Sequence, residues 1–201
     1  MMQGTRSVPA PKISTRNTIT SCTSSTTTLR NANRVQRSRP SRCRWVGSSF
    51  SKSPEPSRAN HSFSHVTLSV SKNKTVLEEI EKTDALIEKY SGKAPVLCRA
   101  PGGSVGKAAK LADKPFIHWS VDTLDWKTLS KSYVVNHIKK TVRDGSIILM
   151  HDLYGSTAAA SEVIIPWLIS EGYQLVTVSE LLEARYGDIE GGRIYYNGYA
   201  K

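Results

Sequence analysis

The chain predicts an α/β fold in which parallel strands are wrapped by helices, open or closed into a barrel. From residue 60 onward, short apolar runs of strand length alternate with amphipathic helical stretches, the pattern a parallel sheet needs for its crossovers. The conspicuous polar residues Arg99, Asp122, Asp125, His151 and Asp152 all fall at or just beyond the C-terminal ends of those runs. A βα barrel builds its sites there.

Residues 75 to 91 place Val76, Leu77, Ile80, Thr83, Ile87 and Tyr90 on one stripe at helical spacing, and Gly92 stands where a C-cap residue would. Pro95 to Cys98 reads as a strand ending at Arg99, and Pro115 to Val121 as another ending at Asp122. Val134, Ile138 and Val142 mark a second helix. Asp144-Gly145 then turns the chain into the apolar strand Ser146 to Met150, which His151 and Asp152 follow directly. A helix from about Ala158 to Ser170, a strand from Tyr173 to Val178 and a helix from Ser179 to Arg185 complete the series.

Composition divides the 201 residues into 1–58 and 59–201. The first part holds eleven Lys and Arg against the single acid Glu55, a net of +10 out of the chain's +11. It is rich in Ser and Thr and interrupted by Pro9, Pro11, Pro40, Pro54 and Pro56, so too little apolar side chain is present to offset the entropy of ordering; it reads as disordered. Three origins suit such a segment: a basic nucleic-acid arm, an organelle transit peptide, or the product of a shifted frame or wrong start. The complete lack of Asp favours the third, and no nucleic-acid partner is expected. Residues 1 to 58 contain no continuous apolar stretch of the secretory kind, and no run of 18 apolar residues predicts a transmembrane span. Cys22, Cys43 and Cys98 lack the paired spacing of a disulfide framework or a Cys-based zinc site.

His61 and His65 lie four apart. On a helical turn they would point the same way, and imidazole is a standard ligand for zinc and similar ions.

Four segments in order carry a family likeness: His61-Ser62-Phe63-Ser64-His65, Arg99-Ala100-Pro101-Gly102-Gly103, Asp122-Thr123-Leu124-Asp125-Trp126, and Ile147-Ile148-Leu149-Met150-His151-Asp152. They resemble motifs two to five of the NodB-homology polysaccharide deacetylases, carbohydrate esterase family 4, over about residues 59 to 187, and are most similar to the peptidoglycan N-acetylglucosamine deacetylase type. The resemblance implies a distorted (β/α) barrel and metal-assisted removal of acetyl groups from N-acetylated glycan, usually by a secreted or envelope protein. By the same resemblance His61 and His65 are ligands of a divalent metal, zinc before cobalt or manganese. Arg99 orients the catalytic base, Asp125 pairs with His151, and protonated His151 donates to the leaving amine. Trp126 and Leu149 wall the sugar and the acetyl methyl, and Pro101-Gly102 borders the substrate, with the Gly102 N–H toward the oxyanion. The family more often has an aromatic residue at the position of Gly102.

Such chemistry suits an amide, which is a poor electrophile with a poor leaving group. It needs carbonyl polarisation, a base for water and an acid for the departing nitrogen; a carboxylate beside a histidine favours the imidazolium that serves as that acid. Structural roles compete at each position. Trp126 and Leu149 also suit an ordinary core, Arg99 a plain ion pair with Asp122 or Asp125, and His151 a satisfied buried histidine. The family's first motif, a Thr-Phe-Asp-Asp strand end that supplies the base and a third ligand, has no counterpart in residues 1 to 60, which contain no Asp. The expectation is therefore an incomplete barrel in a truncated or frame-shifted chain, impaired in hydrolysis, or else a non-catalytic glycan-binding relic.

Overall fold

In the computed structural model, which describes residues 58–199 and the backbone of Thr20–Ser21, every strand pairing is parallel, as the alternation predicts. Seven short strands form two sheets: β1 (Thr20–Ser21), β6 (Ile147–Leu149) and β5 (Val121–Asp122) in that spatial order, and β2 (Ala59–Asn60), β3 (Leu97–Cys98), β4 (Phe116–Ile117) and β7 (Ile194–Tyr195) in the other. Among the described residues the strands do not close into a ring. Thr20 and Ser21 fall inside the segment expected to be unstructured, yet they pair with Ile147 and Ile148 along the edge of β6. That edge would otherwise present unpaired backbone groups. The other residues of that segment up to 57 lie outside the described part of the chain.

Helix α1 (Asn73–Ser91) forms where the apolar stripe predicts it and stops at Gly92, whose φ of 74° is the left-handed conformation that glycine adopts without penalty. The stripe is buried only in part: Val76 and Ile80 are in the core, whereas Tyr90 is 79% exposed. After α2 (Ala108–Ala112) and α3 (Asp125–Thr128) comes α4 (Lys131–Thr141), whose first turn is capped by Ser130 accepting from the Tyr133 N–H at 3.3 Å. Helices α5 (Gly155–Ser170) and α6 (Val178–Tyr186) complete the fold.

Strand alternation distributes these helices. Cys98 and Phe116 face a cluster with Val76 and Ile80 of α1 and Ala108 and Ala109 of α2. Their neighbours Leu97 and Ile117 point the other way, with Ile147 and Tyr195, onto Val178, Leu181 and Leu182 of α6. Ile148 and Val121 pack against Val134 and Ile138 of α4 and Ile164 and Leu168 of α5. Full burial of each such aliphatic or aromatic side chain contributes about 1.5–3 kcal/mol.

Two predicted strands are corrected. Pro115 to Val121 is not one strand: the His118 N–H donates to the Tyr195 carbonyl in one sheet, the Ser120 N–H donates to the Ile147 carbonyl in the other, and the chain crosses between sheets at Trp119. Tyr173 to Val178 forms only a single bridge at Leu175. Its end is consumed by α6, whose capping box links the Thr177 hydroxyl to the Glu180 N–H and the Glu180 carboxylate back to the Thr177 N–H.

Candidate active site

The exits of β5 and β6 build an Asp–His pair. The Thr123 hydroxyl donates to the Leu149 carbonyl at 2.8 Å and ties the two strand ends together. The Asp122 carboxylate accepts from the Leu124 N–H at 3.0 Å, and Leu124, with φ 53°, turns the chain into α3. Asp125, the first residue of that helix, is fully buried. Its Oδ1 lies 2.8 Å from His151 Nδ1, and its Oδ2 accepts from the His151 N–H at 2.6 Å and the Thr157 hydroxyl at 2.9 Å. Burial pushes the Asp125 carboxyl up, but the His151 ring, the His151 N–H and the Thr157 hydroxyl together outweigh it and hold the carboxyl below its ordinary value. The result is a fixed carboxylate that orients the imidazole by Nδ1 and leaves Nε2 for other chemistry. The His151 side chain retains 29% exposure, so the fully satisfied buried histidine is set aside.

His61 and His65 are also brought together, but not by a helical turn. Residues 61 to 67 form a loop in which Ser62 and His65 have φ of 65° and 59°, values a right-handed turn excludes. The two rings nevertheless meet edge to face, with centroids 5.1 Å apart and planes at 78°. His61 Nδ1 lies 2.5 Å from the Arg99 carbonyl oxygen, which fixes Nδ1–H as donor and leaves the Nε2 lone pair free. Burial first, then the Arg99 charge, and also His65 and His151, lower the His61 pKa to about 4, keeping the ring neutral at pH 7. The donor set suits a divalent metal in two respects, since both ligands are imidazoles and one has the carbonyl-anchored tautomer common in metal-binding histidines. Among the described residues no third His, Cys, Asp or Glu joins them.

Arg99 follows β3 and is 6% exposed. Its N–H donates to the Asn60 carbonyl at 2.7 Å, but its side-chain Nε is buried with no hydrogen-bond partner, and no carboxylate among the described residues forms an ion pair with it. The plain ion pair with Asp122 or Asp125 is thus not formed; Asp122 accepts from Leu124, and Asp125 from His151 and Thr157. Beyond Arg99 the chain makes a 3-10 turn, Pro101–Gly103, with Pro101 buried and Gly102 exposed at φ 59°. A Cβ at Gly102 would meet open space, whereas one at Gly103 would stand 2.5 Å from His118 Nε2 and 2.7 Å from the Trp119 ring. Leu149 is 6% exposed and buried in β6; Trp126 is 48% exposed, which removes it from the core.

Three residues that matter here were not singled out from sequence. Thr157 reaches Asp125 from α5. Asn60 receives the Ser62 N–H and donates to the Ile80 carbonyl and Asp84. Glu79 of α1 accepts from the Ser62 hydroxyl, the Ser64 N–H and the Ser64 hydroxyl, each at 2.7 Å. Partial burial pushes the Glu79 carboxyl up, and the Ser64 and Ser62 donors outweigh it, bringing it down to about 2.

A family model described as polysaccharide deacetylase matches residues 55–115. The solved structure titled "T48 deacetylase with substrate" superposes with a TM-score of 0.65 at 32% identity, covering 69% of this chain and 69% of that one. The chain belongs to the polysaccharide deacetylase family. This polysaccharide deacetylase chain is also 40% identical over 127 residues to the peptidoglycan-N-acetylmuramic acid deacetylase PdaC of Bacillus subtilis, covering 63% of the chain and 27% of PdaC. It is 35% identical over 140 residues to the peptidoglycan-N-acetylglucosamine deacetylase PgdA of Listeria monocytogenes, covering 69% and 29%. The chain thus spans less than a third of the length of those two curated relatives. Among its described residues no helix is long and apolar enough to cross a membrane.

Proposed function

We propose that this chain is a metal-dependent hydrolase of N-acetyl groups on cell-wall glycan, peptidoglycan or a chitin-like N-acetylglucosamine polymer, acting at the cell envelope where that glycan lies. The observation that carries the reading is the Asp125–His151 pair. A buried carboxylate, held by three donors, fixes the His151 ring through Nδ1 and leaves Nε2 to serve as the acid toward the departing amine. As the C–N bond breaks, the nitrogen takes that proton and acetate leaves with the oxygen of water. His61 and His65 would hold the divalent ion, zinc before cobalt or manganese, which when bound supplies Lewis-acid polarisation of the acetamide carbonyl. Arg99 would orient a carboxylate base, Trp126 would stack on the sugar, and Leu149 with Pro101-Gly102 would border the acetyl group.

Acid and base are unequally provided. The described residues furnish the acid, whereas among them no carboxylate meets the buried Arg99 Nε, and the sole acid before Asn60 is Glu55. We therefore read the hydrolytic activity of the 201-residue chain as impaired. The same observation favours a second reading, a glycan-binding protein in which the exposed Trp126 still stacks on sugar.

Acetate release from N-acetylated peptidoglycan, measured with zinc present, tests both. A version carrying a Thr-Phe-Asp-Asp strand ahead of Asn60 is expected to release acetate, and His151→Ala is expected to slow it by roughly 10²- to 10⁴-fold. Glycan retention by the chain without acetate release from either form supports the binding reading. Acetate release that His151→Ala leaves unchanged removes the acid from His151.

A further inference from the structure

We propose that Glu79 is a positioning residue for the His61–His65 pair, holding the loop between them in the one shape that brings the two imidazoles together. Its metal arm rests on the reading of those histidines as ligands.

The loop has no regular structure to define it, and it carries two non-glycine residues in the left-handed region, Ser62 and His65. Such conformations are unfavourable and persist only where surrounding contacts overdetermine them. The contacts come largely from one helix. Both oxygens of Glu79 are spent on the loop: Oε2 takes the Ser62 hydroxyl and the Ser64 N–H, and Oε1 takes the Ser64 hydroxyl. One turn on, Lys82 Nζ lies 3.5 Å from the centre of the Phe63 ring. Every residue between the two histidines is thereby bonded to or covered by α1.

The two histidines are not held alike. His61 has its own anchor in the Arg99 carbonyl. Among the described residues no hydrogen bond holds the His65 ring, which meets His61 only edge to face. The direction of His65 is therefore set by the loop backbone, which Asn60 holds at Ser62 and Glu79 holds at Ser64, the residue next to His65. Loss of the carboxylate should release His65 and leave His61 in place.

The role is geometric, so the neutral isostere should serve. In Glu79→Gln the amide oxygen can accept from the Ser62 hydroxyl and the Ser64 N–H, while the amide nitrogen donates to the Ser64 hydroxyl, which accepts as readily as it donates. Glu79→Ala can make none of these bonds.

The test uses the full chain and two readouts: ring-to-ring NOEs between His61 and His65 in metal-free protein, and zinc affinity by calorimetry. Glu79→Ala is expected to lose the NOEs, keep the His61 ring resonances and bind zinc roughly 10- to 100-fold more weakly, the range found when an outer partner of a metal ligand is removed. Glu79→Gln is expected to behave as wild type in both. The Ser62→Ala/Ser64→Ala double variant, with Glu79 intact, keeps only the backbone bond from position 64 and should weaken the NOEs, which covers the case in which Glu79→Ala does not fold; NOEs of full wild-type intensity in it overturn the proposal. NOEs or zinc affinity unchanged in Glu79→Ala overturn the proposal, and so does a Glu79→Gln protein as impaired as Glu79→Ala, which would make charge the operative property. A wild type that takes up no zinc overturns the metal reading alone, and the NOEs still decide for Glu79.

Discussion

Thr157 donates its hydroxyl to Asp125 Oδ2 at 2.9 Å across 32 residues of sequence, tying the first turn of α5 to the carboxylate that orients His151. The bond joins two helices through a buried charge.

Thr157→Val removes that donor with little change of shape and leaves the carboxylate with its two bonds from His151. The expected cost is about 1–3 kcal/mol in urea unfolding at pH 7, the penalty of under-satisfying a buried acceptor. Because the hydroxyl helps hold the Asp125 carboxyl low, its stabilising effect is present above the unfolded value and lost as pH falls through the folded one. In the variant that loss should begin at a higher pH.

Stability should fall on acidification in two successive steps. His61 is lowered from 6.5 to about 4, so between those values the unfolded chain binds a proton that the folded chain refuses, and stability declines as pH drops across that window. Glu79 is lowered from 4.5 to about 2, so the stability its ionised form contributes is complete above 4.5 and drains away toward 2. Urea midpoints recorded from pH 7 to 2 should show the upper step vanish in His61→Gln and the lower step shrink in Glu79→Gln to the part that Asp125 contributes. A single step common to both variants would contradict the assignment.

Arg99 presses on His61 by charge, and its own Nε is buried without a partner. Replacing it with Met keeps the backbone carbonyl that anchors His61 and removes the cation. The His61 pKa, followed by NMR titration, should rise above about 4 while burial still holds it below 6.5, and thermal stability should hold or increase, since a buried donor without a partner gives way to an apolar chain of similar length. A large loss of stability would reveal a carboxylate partner.

Much of the fold was legible because it rests on short-range pattern. The spacing of Val76 and Ile80, the Gly92 stop and the apolar runs ending at Arg99 and His151 each follow from local periodicity or turn chemistry. The Asp125–His151 pairing was expected only through family likeness, because nothing in either segment encodes a contact across 26 residues. Asn60, Glu79 and Thr157 act over similar separations, and each looks in sequence like an ordinary polar residue. The crossing at Trp119 was illegible for another reason: Pro115 to Val121 is strand-like throughout, and only its partners reveal that it serves two sheets. The capping box at Thr177 and Glu180 was present to be read, and it shortens the strand expected before α6.

The step from His118 to Ser120 joins two sets of reagents. His61 and Arg99 leave the sheet that contains β4, while Asp125 and His151 leave the sheet that contains β5. Three residues thus act as a spacer bar between the two sides of the candidate site. Substitutions at His118, Trp119 or Ser120 are expected to widen or narrow the gap between the His61–Arg99 side and the Asp125–His151 side without replacing any of those four residues. The width of the site is thus a property of this joint rather than of the residues that line it.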